Sequence, residues 1–179
     1  MFEAFKTKVK VNKIEHLTDA RYFAAAGVDY MGFQLDGPGM NNEEEIRKIA
    51  AIKEWVSGPQ IFVGAKKATE DILENAFAKG IEIIEVAEKT ALFGLDGFEW
   101  FLQTNSFDEH LPKYHQQILP YRHWLDGGKP KSWIKDFPLD AAAELADDNI
   151  IGLQIDGSAQ EKVGVKSFEL YDKLFEAIV

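Results

Sequence analysis

Short apolar segments rich in β-branched residues alternate along the chain with longer segments in which apolar residues recur every three or four positions. The first pattern predicts strands, and the second predicts helices that bury one face. A regular alternation of the two patterns is typical of parallel βα units. We therefore expect an α/β fold in which parallel strands are connected by helices.

The first half of the chain predicts four strands and three helices. The strands are expected at residues 8–14, 30–35, 61–65 and 81–86. The intervening helices are expected at residues 18–26, 43–56 and 69–79. A glycine follows each of these segments, where a helix is expected to end.

The second half of the chain is less regular. A fifth strand at 98–102 follows a connection, residues 93–97, that leaves little room for a helix, and an amphipathic segment at 107–119 precedes a sixth strand at 123–125. Residues 132–137 fit either a seventh strand or a short helix. They are followed by a predicted helix at 139–146, a strand at 150–155 and a helix at 167–178. An eightfold barrel typically needs about 200–250 residues, so at least one helix must be truncated or absent.

Composition limits the classes of protein to which the chain can belong. A hydrophobic fraction of 46%, with four Trp and thirteen Phe, can fill the core of one domain, expected to span residues 1–179. No apolar run approaches the roughly 20 residues of a membrane span, and no signal-peptide pattern precedes the first strand, so we expect a cytoplasmic protein. The formal charge of −10 argues against nucleic acid as a partner, because phosphates would be repelled.

Few residues of the sequence are suited to metal binding or covalent catalysis. The chain has no cysteine, which excludes disulfides, thiolate zinc sites and cysteine nucleophiles. His110 and His115 are five positions apart, which is poor spacing for sharing a metal, and His16 and His123 lack a neighbouring ligand pattern. No Walker or dinucleotide fingerprint is present. We expect neither a metal nor an organic cofactor.

Both ends of the chain resemble one enzyme family. Lys10–Ala20 followed by Ala24–Phe33 is similar to the opening of phosphoribosylanthranilate isomerase, a barrel enzyme of tryptophan biosynthesis. Gly152–Ser158 followed by Lys162–Lys166 is similar to the last strand of that family and the loop after it. The resemblance implies a compact, partly degenerate (β/α)8 TIM-type barrel with one or more truncated helices.

The family's catalytic residues are only partly matched. A cysteine base usually follows the first strand, and Asn12 stands in its place. An amide is not basic, so Asn12 is expected to bind a ligand or to take part in a polar network at the strand end. Leu125-Asp126 resembles the end of the family's sixth strand, which implies that Asp126 is the general acid, although Asp-Gly-Gly is also an ordinary turn sequence. Lys13 and Glu15, two positions apart on a strand, form a weaker candidate acid–base pair.

The binding positions of the family have also changed. No arginine stands in the segment 35–42, where the family's arginine holds the anthranilate carboxylate, and an acidic Glu85 ends the fourth strand. We expect Gln34 and Glu85 to contact a ligand at the carboxyl ends of their strands. The resemblance implies phosphate binding by Gly157, Ser158 and Lys162, through backbone N–H groups after the last strand. A plain polar turn is the alternative there.

These residues lead to three functional hypotheses. The first is a diverged barrel that binds a small phosphorylated metabolite, such as a sugar phosphate, and has lost the isomerisation. The remainder of the ligand is expected to be neutral or cationic, because Asp36, Glu85 and Asp126 are expected to line the mouth of the barrel. The alternatives are an active isomerase with a substitute base and a non-catalytic interaction protein. The sequence leaves the oligomeric state open.

Overall fold

Eight parallel strands form a closed barrel in a computed structural model that describes residues 5, 7–37, 39–87, 97–111, 115–158 and 168–179. Each strand pairs with the next along the chain, and the last pairs with the first, so the sheet has no free edge. The strands are β1 (Lys8–Asn12), β2 (Tyr30–Gln34), β3 (Gln60–Ala65), β4 (Ile83–Val86), β5 (Glu99–Gln103), β6 (His115–Pro120), β7 (Ser132–Lys135) and β8 (Ile150–Asp156). The expected (β/α)8 barrel is therefore confirmed.

The helices that surround the barrel differ widely in length. They are α1 (Leu17–Ala26), α2 (Asn42–Trp55), α3 (Glu70–Ala78), α4 (Tyr121–Asp126) and α5 (Glu169–Ile178), with a 3₁₀ helix at Leu139–Ala146. α4 has only six residues, and the 3₁₀ helix stands where an α-helix was expected. Most of the predicted connection 93–97 lies outside the described residues. The short helices explain how eight strands fit into 179 residues.

Local signals fix the ends of the first three helices. The side chain of Asn41 accepts a hydrogen bond from the Glu44 N–H at the start of α2, and Thr69 caps α3 through the Ile72 N–H. Gly27 ends α1 with a φ of 87°, in the left-handed region that glycine adopts without a steric penalty. These signals account for the agreement between predicted and observed elements in this half of the chain.

The barrel interior below the strand ends is filled mainly by aromatic residues. Buried side chains from six strands pack together here: Tyr30, Phe62, Ile83, Phe101, Ile118 and Trp133. Gly32 lies against the Phe62 ring, and a Cβ at this position would be 2.0 Å from a ring carbon. A second apolar cluster lies between the outside of the barrel and the helices. Each strand is therefore buried on both faces, as expected for a parallel barrel.

The predicted assignment of residues 107–125 is wrong. The sixth strand is β6, which ends at Pro120, and the residues predicted as that strand lie in α4 instead. Ile118 packs inside the barrel and Leu119 packs against the helices, so adjacent apolar residues bury opposite faces of one strand. Periodicity alone cannot separate such a doubly buried strand from a helical segment. Residues 132–135 are a strand, which resolves the alternative left open for 132–137.

Candidate binding site at the carboxyl ends of the strands

Polar side chains from four strands meet inside the barrel near the carboxyl ends. We call this group the Glu85 cluster, and it comprises Lys10 and Asn12 of β1, Glu85 of β4, Gln103 of β5 and Gln154 of β8. The carboxyl ends of parallel strands lie at one face of a barrel, where the active sites of such enzymes are found. The cluster therefore occupies the position expected of a functional site.

Glu85 is the centre of this cluster. Its side chain is 2% exposed, and its Oε1 accepts hydrogen bonds from Asn12 Nδ2 and Gln103 Nε2, both at 2.6 Å. Its Oε2 accepts a hydrogen bond from the ammonium group of Lys10. A carboxylate offers about four acceptor positions, so three of them are already used within the protein.

Lys10 is the buried partner of Glu85. Its side chain is fully buried, and its Nζ lies 4.0 Å from the centre of the Phe62 ring and donates to Gln154 Oε1 at 2.7 Å. Burial lowers the pKa of Lys10, while the charge and hydrogen bond of Glu85 act in the opposite direction. Each charge compensates the other in a site from which water is excluded.

Asn12, which the sequence resemblance placed at the position of a base, forms hydrogen bonds within the protein. Besides its bond to Glu85, its side-chain Oδ1 accepts from the Lys13 N–H at 3.1 Å. Its backbone carbonyl accepts from the Gly157 N–H at 2.7 Å. Asn12 is thus part of a polar network that joins β1 to β4 and to the end of β8.

The backbone donors expected to hold a phosphate are already hydrogen-bonded within the protein. The Gly157 N–H donates to Asn12, and the Ser158 N–H donates to Asp156 Oδ1 at 2.9 Å. Ser158 Oγ donates to the same carboxylate oxygen at 2.6 Å. A phosphate at this turn would have to displace a carboxylate. Lys162, the third expected phosphate ligand, lies outside the described residues.

Asp156 is stabilised as a carboxylate at the rim of the barrel. Burial alone would raise its pKa, but hydrogen bonds from Lys13 and Ser158 and the charge of Lys13 lower the pKa overall. Lys13 Nζ lies 2.5 Å from Asp156 Oδ2, and both side chains are about half exposed. The charge of Lys13 is therefore offset by a partner at the protein surface.

Gln34 lies at the end of β2, as expected, but forms no hydrogen bond to the Glu85 cluster. Its amide covers Gly64, where a Cβ would lie 2.3 Å from Gln34 Oε1. This oxygen is buried and has no hydrogen-bond partner in the described part of the chain. Gln34 and Ser158 also line a cavity of about 800 Å³ between the connections that follow β1 and β2.

Asp126 is not at the end of the sixth strand. It is the last residue of α4, which follows the six residues of β6. The general-acid role was inferred from a strand position that belongs to Pro120, so the structure removes the basis of that inference. The misassignment has the physical cause given above, since the adjacent Ile118 and Leu119 are buried on opposite faces of β6.

The structure removes the geometric basis of one further expectation about charged residues and leaves another in place. β1 ends at Asn12, and Lys13 adopts a φ of 54°, so the strand alternation that would place Lys13 and Glu15 on one face does not continue. Asp36 lines the 800 Å³ cavity with Gln34 and Ser158, and it accepts a hydrogen bond from the Lys66 N–H at 2.8 Å. With Glu85 compensated by Lys10, the mouth is less acidic than the sequence suggested.

Sequence reasoning missed four residues of the site: Lys10, Gln103, Lys135 and Gln154. Lys10 could have been found, since it shares a strand face with Asn12 while Val9 and Val11 occupy the other face. Lys135 Nζ donates to Gln103 Oε1 at 3.1 Å, and this ammonium group forms no ion pair with any described residue. Lys135 therefore carries a charge that the described acidic groups leave uncompensated.

A cavity of about 350 Å³ lies beside Lys135. Its walls come from the ends of three strands and the residues that follow them: Ala87, Leu102, Gln103, Thr104, Asn105 and Lys135. Across the part of the chain that is described, no group of three or more His, Asp or Glu side chains is placed to hold a metal ion. The same residues include no helix long and apolar enough to cross a membrane.

The fold and the polar strand ends define a (β/α)8 barrel with a charged site at its carboxyl face. Its fold is similar to that of solved phosphoribosylanthranilate isomerases. The enzyme from Thermus thermophilus superimposes with a TM-score of 0.67 at 18% identity, covering 96% of this chain and 98% of that chain. The enzyme from Pyrococcus furiosus gives a TM-score of 0.66 at 14% identity, with the same coverage of the two chains.

The fold is shared by enzymes with other reactions. A phospho-2-dehydro-3-deoxyheptonate aldolase from Thermotoga maritima matches 96% of this chain and 67% of its own, with a TM-score of 0.64 at 12% identity. No family model matches the sequence, and no curated protein matches it. The resemblance to the isomerase family is thus confirmed for the fold, and the activity has to be argued from the site.

Proposed function

We propose that this barrel binds a small phosphorylated metabolite at its carboxyl face and does not catalyse the isomerisation of phosphoribosylanthranilate. One observation carries the proposal: the residue at the base position, Asn12, donates a hydrogen bond to the buried carboxylate of Glu85. The amide of Asn12 is not basic, and its oxygen already accepts from the Lys13 N–H, so Asn12 cannot remove a proton from a substrate.

The isomerisation requires a base that takes a proton from a sugar carbon and an acid that helps to open the ribose ring. Glu85 is buried and accepts three hydrogen bonds, and Asp156 is bound by Lys13 and Ser158. Asp126 lies on α4. None of these carboxylates is positioned as a free proton acceptor facing the mouth, and losing a general base alone removes about 10²–10⁴-fold in rate.

The same geometry favours binding of an anion. Lys10 and Lys13 are paired with Glu85 and Asp156, while Lys135 has no acidic partner among the described residues. Lys135 is therefore a cation at the carboxyl end of β7 that forms no ion pair with a described residue. Burial in a partly desolvated site strengthens the attraction of such a charge for an anionic ligand.

Turnover and binding can be measured on the same purified protein. We expect no phosphoribosylanthranilate isomerase activity and no growth of a tryptophan auxotroph that expresses this chain, with the Thermus thermophilus enzyme as the positive control. We expect ribose 5-phosphate, but not ribose, to raise the melting temperature. Turnover at the rate of an ordinary enzyme would contradict the loss of isomerisation, and equal effects of the two sugars would contradict phosphate binding.

A further inference from the structure

The phosphorylated ligand proposed above needs donors that are not already engaged within the protein. Neither of the two backbone N–H groups expected to bind phosphate after β8 is free. The Gly157 N–H donates to Asn12, and the Ser158 N–H donates to Asp156. The carboxylate of Asp156 would also repel a phosphate placed at this turn. The anion site therefore has to be sought elsewhere on the carboxyl face.

Free donors lie elsewhere on the carboxyl face, at the ends of β5 and β7 beside the 350 Å³ cavity. An ammonium group has three N–H donors, and Lys135 uses one of them on Gln103. Asn105 is exposed and lines the same cavity, and its side chain has no hydrogen bond to any described residue. Two residues that line the cavity, Lys135 and Asn105, thus have up to four N–H donors without a partner among the described residues.

Lys135 is held at this cavity by the Glu85 cluster. Gln103 Nε2 donates to Glu85 Oε1 at 2.6 Å, which turns Gln103 Oε1 towards Lys135. The neighbouring acid, Asp136, is exposed and forms no ion pair with Lys135. A chain of contacts from Lys10 through Glu85 and Gln103 therefore positions the cation without neutralising it.

Resting on the proposed function, we propose that the phosphate group of the ligand binds in the cavity between the ends of β5 and β7, held by Lys135 and Asn105. Three terminal oxygens of a phosphate monoester match the free donors better than the two oxygens of a carboxylate. Lysine binds phosphate as a point charge and does not need a planar partner. The ligand class is a phosphate monoester of a small polyol or sugar.

The test is an NMR titration of the ¹⁵N-labelled protein with ribose 5-phosphate, with ribose and ribonate as matched neutral and carboxylate probes. We expect ribose 5-phosphate to shift the amide signals of Thr104, Asn105 and Lys135. Lys135→Met should weaken binding by about tenfold or more, because a charge-assisted hydrogen bond is lost. Lys135→Arg should retain binding within about threefold.

Lys13→Met is the matched control, since Lys13 is a half-exposed lysine that follows β1 and does not line this cavity. If the phosphate instead bound after β8, Lys13→Met would weaken binding, Lys135→Met would not, and the shifts would appear at Gly157 and Ser158. That result would overturn this site and leave the proposed function standing. No binding of ribose 5-phosphate would overturn both, and equal binding of ribonate would overturn the phosphate assignment. The shift map of the native protein decides the location even if Lys135→Met fails to fold.

Discussion

The two halves of the barrel interior are both buried but are held together in different ways. In the lower half, Tyr30, Phe101 and Trp133 pack edge to face, with ring centres 5.3–5.5 Å apart. In the upper half, Glu85 and its partners form a network of directional hydrogen bonds around an ion pair. The packing of the lower half depends on the volumes of its side chains. The upper half depends on pairing opposite charges and on pairing hydrogen-bond donors with acceptors.

The change between the two halves occurs within single strands. On β5, Phe101 belongs to the aromatic group and Gln103 to the polar network; on β7, Trp133 and Lys135 differ in the same way. Residues two apart on a strand share a face, so these side chains all enter the barrel. An apolar pair would fill the upper half at less desolvation cost. Stability alone therefore does not account for the polar residues at the carboxyl ends, which agrees with the proposed binding role.

Removal of Glu85 should give the largest effect. Glu85→Leu leaves Lys10 as an uncompensated buried charge, and we expect a loss of about 3–5 kcal/mol in the free energy of unfolding. The double variant Lys10→Met with Glu85→Leu should recover most of this loss. Urea denaturation measures both, with Glu74→Leu on the exposed face of α3 as the control. A double variant as unstable as the single one would show that the ion pair does not define the upper half.

A steric substitution tests the lower half. Gly32→Ala places a methyl group against the Phe62 ring, and overpacking of this kind costs about 1–3 kcal/mol. We expect Phe62→Leu to relieve part of the loss when combined with Gly32→Ala. The same urea measurements report the result. If Phe62→Leu instead adds its full cost to that of Gly32→Ala, the two positions do not compete for space and the proposed packing is incorrect.

The exposed pair at the rim should have the smallest effect. The pKa of Asp156 is lowered, so its contribution to stability is present above about pH 4 and is lost as the pH falls through the lowered pKa. Because the pair is about half exposed, we expect Asp156→Asn to cost no more than about 0.5 kcal/mol at pH 6. The difference between the two proteins should shrink towards pH 3 in urea titrations. A difference that grows on acidification would contradict the assigned direction.

The sequence predicted the first half of the fold closely and the second half only in part. Periodic helices with clear caps, such as α2 and α3, contain local signals that need no tertiary information. β6 contains none, because its two buried faces remove the alternation that distinguishes a strand. Because the sixth strand was predicted too late in the chain, Asp126 was wrongly predicted to lie at its end.

The site was predictable to a similar extent. Asn12 and Glu85 were expected near the same mouth because both end strands, and they are joined by a hydrogen bond. Their partners could not be derived in this way. Whether Glu85 is free or paired depends on Lys10, 75 positions away, and the occupied amide of Ser158 depends on how its turn folds against Asp156. Such pairings form only when the barrel closes, so no local sequence pattern predicts them.

The seam between β1 and β8 also bears on how quickly the chain can reach its native state. Lys10 bonds to Gln154 across 144 positions of sequence, and the two strands pair along five residues. Contacts of such long sequence separation slow folding, because the entropy of closing the loop is lost before the contacts form. Until β8 arrives, Lys10 has no barrel to enclose it and remains hydrated. The pairing of β8 with β1 therefore controls when the charge of Lys10 is buried.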